Sequence, residues 1–180
     1  MVVSDHGFKS VEKQIWLRNV LNNAHFGPEI QVMPEGGSGM IYFRDSRGAE
    51  LVEKIARVFS STEGVGRVLK PAEFSAFGYP LLSANRQMPD LIVLAKPGYG
   101  LAGERKGAGP AIDAVDPSVG AHGYLNTDPD MQAIFIASGY GIKKGLSLGP
   151  LSNMEIAPTL ASLLGVRLPN SEPPISDILQ

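Results

Sequence analysis

The sequence predicts an α/β fold, because short apolar strand-like runs alternate with amphipathic helical stretches along the chain. Glycine and proline mark the junctions, and hydrophobic residues make up 43% of the 180 positions, enough for a globular core.

Taken in order, Met1-Val2-Val3 reads as the end of a buried strand, which places the start of the chain inside a sheet. A polar turn, Ser4-Asp5-His6-Gly7-Phe8, follows at once. Val11, Ile15, Trp16, Val20 and Leu21 recur at near-helical spacing behind Ser10, a suitable cap, and predict a helix of about three turns ending before Gly27-Pro28. Strands are expected over Ile30–Met33 and Met40–Phe43, divided by the turn chemistry of Glu35-Gly36-Gly37-Ser38-Gly39. Leu51, Val52, Ile55, Val58 and Phe59 form an apolar stripe with Glu50, Glu53, Lys54 and Arg57 opposite, the clearest helix in the chain. Arg67–Leu69 reads as a strand, Pro71–Phe77 as a short helix begun by proline, and Leu91–Ala95 as a fully buried strand between Pro89 and Pro97. Gly98 to Val119 is rich in glycine and proline and is expected to be a long loop. Ala133–Ala137 reads as a core strand, and Ile156, Leu160, Leu163 and Leu164 as the inner face of a closing helix stopped by Gly165. The tail from Pro169 is expected on the surface.

Composition excludes several functions. A formal net charge of −2, from 16 basic and 18 acidic residues without long runs, gives no footprint for a nucleic-acid polymer. No window reaches the roughly 18 uninterrupted apolar residues of a membrane span, and the first residues lack the pattern of an export signal. The absence of cysteine rules out disulfides and thiolate ligands, so any metal must be held by oxygen and imidazole.

Two motifs carry that chemistry. Asp5 and His6 sit beyond a strand end, where open α/β sheets gather their ligand sites, and carboxylate with imidazole suits zinc or a similar divalent ion. His122, in Gly120-Ala121-His122-Gly123-Tyr124, lies between glycines that let the backbone pass close to an ion or substrate. The bland alternatives are a capping aspartate and ordinary loop histidines. His25, at a helix end, is expected to be structural or exposed. Gly98-Tyr99-Gly100-Leu101-Ala102-Gly103 fits the dinucleotide fingerprint by letter, but Glu104-Arg105-Lys106-Gly107-Ala108-Gly109-Pro110 cannot open the helix that motif requires. Ser38 lies in Gly36-Gly37-Ser38-Gly39-Met40, which misses the nucleophile elbow because Met40 replaces the second glycine.

The ordered set of Val2-Val3-Ser4-Asp5-His6-Gly7-Phe8, Gly120-Ala121-His122-Gly123-Tyr124, Pro129-Asp130-Met131 with Ile134-Phe135-Ile136-Ala137-Ser138-Gly139, and Glu155-Ile156-Ala157-Pro158-Thr159-Leu160 resembles the C-terminal half of type I phosphodiesterase / nucleotide pyrophosphatase proteins. That family lies in the alkaline phosphatase superfamily. The resemblance implies the C-terminal part of an alkaline-phosphatase-like sheet flanked by helices. Residues 1–29 and 116–180 would belong to this core, with 30–115 an inserted α+β capping region. It further implies two zinc ions side by side, Asp5 and His6 on the ion that also binds the nucleophile, and His122 on the other. The family's nucleophile, one metal-binding aspartate, and the aspartate and histidine completing the second ion have no counterpart in this sequence. No catalytic residue is therefore assigned here, and the expectation is weak or no metal binding, no activity by this chain alone, and self-association of a cut sheet. The implied substrate is a small phosphate diester or pyrophosphate, of unassigned identity, and family members are often exported. Phe43, Tyr79 and Tyr99 each suit either base stacking or core. The rival readings are a non-catalytic interaction module and a phosphomonoesterase, sulfatase or phosphomutase relative.

Overall fold

A computed structural model describes residues 1–43, 48–106 and 109–180. In chain order the strands and helices are β1 (Val2–Val3), β2 (Lys9–Trp16), α1 (Leu17–Asn23), β3 (Ile30–Pro34), β4 (Ser38–Phe43), α2 (Ala49–Ser60), β5 (Val65–Leu69), β6 (Leu91–Ala95), β7 (Gly98–Ala102), β8 (Ile112–Ala121), β9 (Phe135–Ile136) and α3 (Ile156–Leu163). They belong to two compact units, Asp5–Ala133 and Met1–Ser4 with Ile134–Gln180.

The larger unit holds two sheets. One has the order β7-β2-β8, with β7 parallel and β8 antiparallel to β2, and the other is the antiparallel sheet β3-β4-β6-β5. Ile15 of β2, Leu17 and Leu21 of α1, Ile41 of β4, Ile55 and Phe59 of α2, and Leu91 and Val93 of β6 are all withdrawn from water into one core. The apolar stripe predicted for α2 is the face that enters it, and the Leu91–Ala95 strand lies where predicted, buried along four of its five residues.

Two expectations for this unit are corrected. Val11 to Trp16 is strand, not helix. Val11 and Ile15 are four apart, a spacing that suits a strand's period of two as well as a helical turn. The contacts that decide between them come from β7 and β8, some 90 to 110 residues downstream, which local periodicity cannot register. The helix starts only at Leu17. The Gly98–Val119 segment is largely the strands β7 and β8, because its glycine-rich half pairs along β2. Gly107 and Ala108 of that segment lie outside the described residues. Residues 103–106 form no helix, as the rejection of a dinucleotide site requires. Pro71–Phe77 is helical as expected, in the tighter 3₁₀ form, and ends at Gly78 in the left-handed conformation.

In the smaller unit β1 and β9 form a two-stranded antiparallel ribbon. Val2 and Ile136 are 58% and 59% exposed, so neither strand is the buried core strand its composition suggested. In α3, Ile156 and Leu163 pack on Ile142, Ile175 and Ile178, while Leu160 and Leu164 face water. The inner face is thus rotated from the predicted one, toward Thr159 and Ala161. Thr159 is fully buried because its hydroxyl donates to the Glu155 carbonyl at 2.6 Å and accepts from the Ile175 amide at 2.8 Å. Ile175 and Ile178 draw part of the tail into the core, while residues 169–173, Ser176, Asp177 and Gln180 stay on the surface as expected. Gly165, at φ +66°, stops α3 as predicted.

Candidate metal centre

Asp5, His6 and Gly7 lead directly into β2. The Gly7 amide donates to the Met131 carbonyl at 3.1 Å, and a Cβ on Gly7 would land on the carbonyl of Asp130, so only glycine permits this approach. His122 follows the last residue of β8. The β2–β8 ladder pairs Ser10 with Gly120 and Lys9 with Ala121, and that register delivers His122 beside residues 6 to 8.

The result is a cluster of three rings. His6 and His122 stack with centroids 4.5 Å apart and planes 25° from parallel, and Phe8 sits edge-on to both at 5.2 and 6.1 Å. Asp5 is beside them, its Oδ2 3.5 Å from Nε2 of His6. The structure therefore brings Asp5, His6 and His122 together, and leaves His25 exposed at the end of α1, at φ 62°.

The hydrogen bonds of His6 bear on what this cluster can hold. Nδ1 is 2.8 Å from the Gly7 carbonyl, which can only accept, so the ring proton belongs on Nδ1 and the lone pair on Nε2, toward Asp5. A ring nitrogen anchored to a backbone carbonyl is the usual support for an imidazole that binds metal through its other nitrogen. Two donors on one tetrahedral ion at about 2.0–2.1 Å stand roughly 3.3–3.4 Å apart, close to the observed separation of Nε2 and Oδ2. Backbone amides hold the Asp5 carboxyl below its ordinary range, first its own and then that of His6. Asp5 is thus a charged oxygen donor at neutral pH. Among the described residues, no three histidine, aspartate or glutamate side chains are gathered so as to hold one ion together. The geometry fits two donors on one ion with a third beside them.

Residues around the cluster fix it in place. Lys9 Nζ reaches Asp128 at 2.5 Å and Asp130 at 3.3 Å and lies over the ring of Tyr124. This ties β2 to the short 3₁₀ turn Pro129–Met131, on which Gly7 rests. Lys9, Asp128, Asp130 and Tyr124 also line a pocket of about 360 Å³. The role of Lys9 is not visible in the sequence because its partners lie 119 and 121 positions away. The three aromatic residues that suited either stacking or core serve as packing: Phe43 and Tyr99 lie against the main core, and Tyr79 meets Phe74 edge-on at 6.3 Å. Burial raises the Tyr79 hydroxyl above its usual value.

Comparison with known proteins identifies the family. The family described as type I phosphodiesterase / nucleotide pyrophosphatase matches residues 1–125. Ectonucleotide pyrophosphatase/phosphodiesterase family member 7 of Rattus norvegicus is 25% identical over 171 residues, covering 92% of this chain and 36% of the rat protein. The Homo sapiens protein of that name matches at the same identity over 34% of its length. This chain thus spans about a third of those relatives. The solved structure of murine ectonucleotide pyrophosphatase / phosphodiesterase 5 superposes with a TM-score of 0.74 at 18% identity, covering 99% of this chain and 44% of that one. An inactive variant of the murine protein in complex with AMP superposes equally well at 19% identity. With the family match covering well over half of its residues, this chain belongs to the type I phosphodiesterase / nucleotide pyrophosphatase family and has its alkaline-phosphatase-like α/β fold.

Proposed function

We propose that this chain contributes part of a metal-dependent site that hydrolyses phosphate diesters or pyrophosphates, with Asp5 and His6 on one divalent ion and His122 on a second. The observation that carries the reading is the stack of His6 on His122 at 4.5 Å with the Asp5 carboxylate alongside. Zinc is the ion that best suits one carboxylate and two imidazoles, and such ions when bound supply charge stabilisation to a phosphoryl group. The chain's own contribution is to hold the donors. Gly7 fixes the His6 tautomer, the β2–β8 register brings up His122, and the Asp5 carboxyl stays ionised. No residue of this chain is proposed as nucleophile, and three donors divided between two ions predict weak metal binding and no turnover by the chain alone. The AMP complex of the murine neighbour supports a small phosphate ester as substrate. Residues 30–115, with the sheet β3-β4-β6-β5 as their body, are proposed to form the capping region where substrate preference resides.

The chain has three histidines, so zinc titration followed by NMR at the imidazole ring protons reports each one separately. His6 and His122 are expected to respond, saturating only at high zinc, while His25 stays still. Equal response of all three, or silence at His122, removes the metal assignment. Turnover of a generic aryl phosphodiester with added zinc, abolished by His122→Ala, would show that the chain is active alone and overturn that part of the proposal.

A further inference from the structure

The turn between β3 and β4 holds more than its own hairpin. Its Gly37 amide donates to the His122 carbonyl at 2.7 Å, the Gly37 carbonyl accepts from the Ala95 amide at 2.9 Å, and the Gly36 carbonyl accepts from the Leu101 amide at 2.6 Å. One turn thus joins the end of β6, Leu101 of β7 and the loop that carries the candidate ligand. The side chains that are missing matter as much. A Cβ on Gly36, at φ +78°, would stand 2.6 Å from the His122 carbonyl oxygen, and a Cβ on Gly37 would enter the ring of Tyr124. On the opposite side Gly123, at φ +80°, would drive a Cβ into the Glu35 carbonyl. A simple hairpin requires glycine only where φ is positive. The bare face of Gly37, which has no positive φ, is explained by the approach of the His122-Gly123-Tyr124 segment. Tyr124 closes the contact by donating its hydroxyl to the Tyr99 carbonyl at 2.7 Å.

We propose that the glycine turn of residues 35–37 is the positioning element for His122, setting its backbone from the four-stranded sheet so that its ring stays on His6. Its consequence for catalysis rests on the reading of His122 as a metal ligand; the geometry does not. Through this turn, the proposed capping region is hydrogen-bonded to the backbone of His122.

The test uses the 180-residue chain without metal, observing the imidazole ring protons of the three histidines by NMR. Gly37→Ala is expected to move the His6 and His122 signals and leave that of His25. Adding Tyr124→Ala removes the obstructing ring, so Gly37→Ala/Tyr124→Ala should coincide with Tyr124→Ala alone. Unmoved His6 and His122 signals in Gly37→Ala overturn the proposal. So does a double variant displaced from Tyr124→Ala as far as Gly37→Ala is from the parent. Should Gly37→Ala not fold, amide exchange in the parent decides, with slow exchange at Gly37 supporting the contact to His122 and exchange at the free-loop rate overturning it. Failure of zinc to bind while these signals behave as expected would remove the metal reading and leave the positioning role standing.

Discussion

Lys9 shows how one side chain secures the site without belonging to it. Its side chain is only 14% exposed, and its ammonium meets Asp128 and Asp130 and lies over the ring of Tyr124. Lys9→Met keeps the stem and removes the charge, leaving the partly buried Asp128 without its cation. The expected loss is about 1–2 kcal/mol, measured by urea denaturation. The hydrogen bond from Lys9 lowers the Asp128 carboxyl below its ordinary 3.8, so this contribution is fully present above that value and is lost as pH falls through the depressed one. Lys9 is raised above 10.5, chiefly by its hydrogen bond to Asp128, so its part is fully present below that value and is lost as pH rises through the raised one. The stability difference between parent and variant should therefore be level from about pH 5 to pH 9 and shrink below about pH 3. A difference that changes across neutral pH would assign the loss to something other than this pair. The residues of the candidate site were legible at this scale, because Asp5, His6 and His122 are rare types set in glycine-rich motifs. Lys9 and Gly37 were not, since a lysine and a turn glycine look ordinary until their distant partners are known.

At the scale of elements, burial separates helix residues of equal hydrophobicity. Phe59 of α2 is fully buried in the main core, and Phe59→Ala is expected to cost about 3–5 kcal/mol through lost transfer energy and the cavity left behind. Leu160 of α3 faces water, and Leu160→Asn should stay within about 0.5 kcal/mol. Thermal denaturation of the two variants measures the contrast, and comparable losses would mean that α3 is packed as the sequence alone suggested. The stripe on α2 was legible because it runs for three turns with charges opposite. In α3 nearly every residue is apolar or small, so periodicity could not choose a face. The choice fell to Thr159, whose hydroxyl satisfies the Ile175 amide in the interior. For β2 the ambiguity was one of period, and pairing with β7 and β8 resolved it.

For the whole molecule, the exposed ribbon is the property with a consequence in solution. Met1, Val2, Val3, Ile134 and Ile136 leave large apolar surface in water on a two-stranded sheet with both edges open. Concentration-dependent dimers or larger species are expected in light scattering, and Val2→Lys with Ile136→Lys should shift the population toward monomer. A monomer that persists at high concentration in the parent chain would count against the prediction.

Composition, motif order and turn chemistry determined the α/β class and the family, and singled out Asp5, His6 and His122 as candidates, because these depend on residue type and near neighbours. Tertiary structure decided that β2 is a strand, that β7 and β8 replace a loop, which face of α3 is buried, and how a glycine turn holds His122. Each of these rests on hydrogen bonds or packing between residues far apart in the chain, whose free energy exists only once the partners have met.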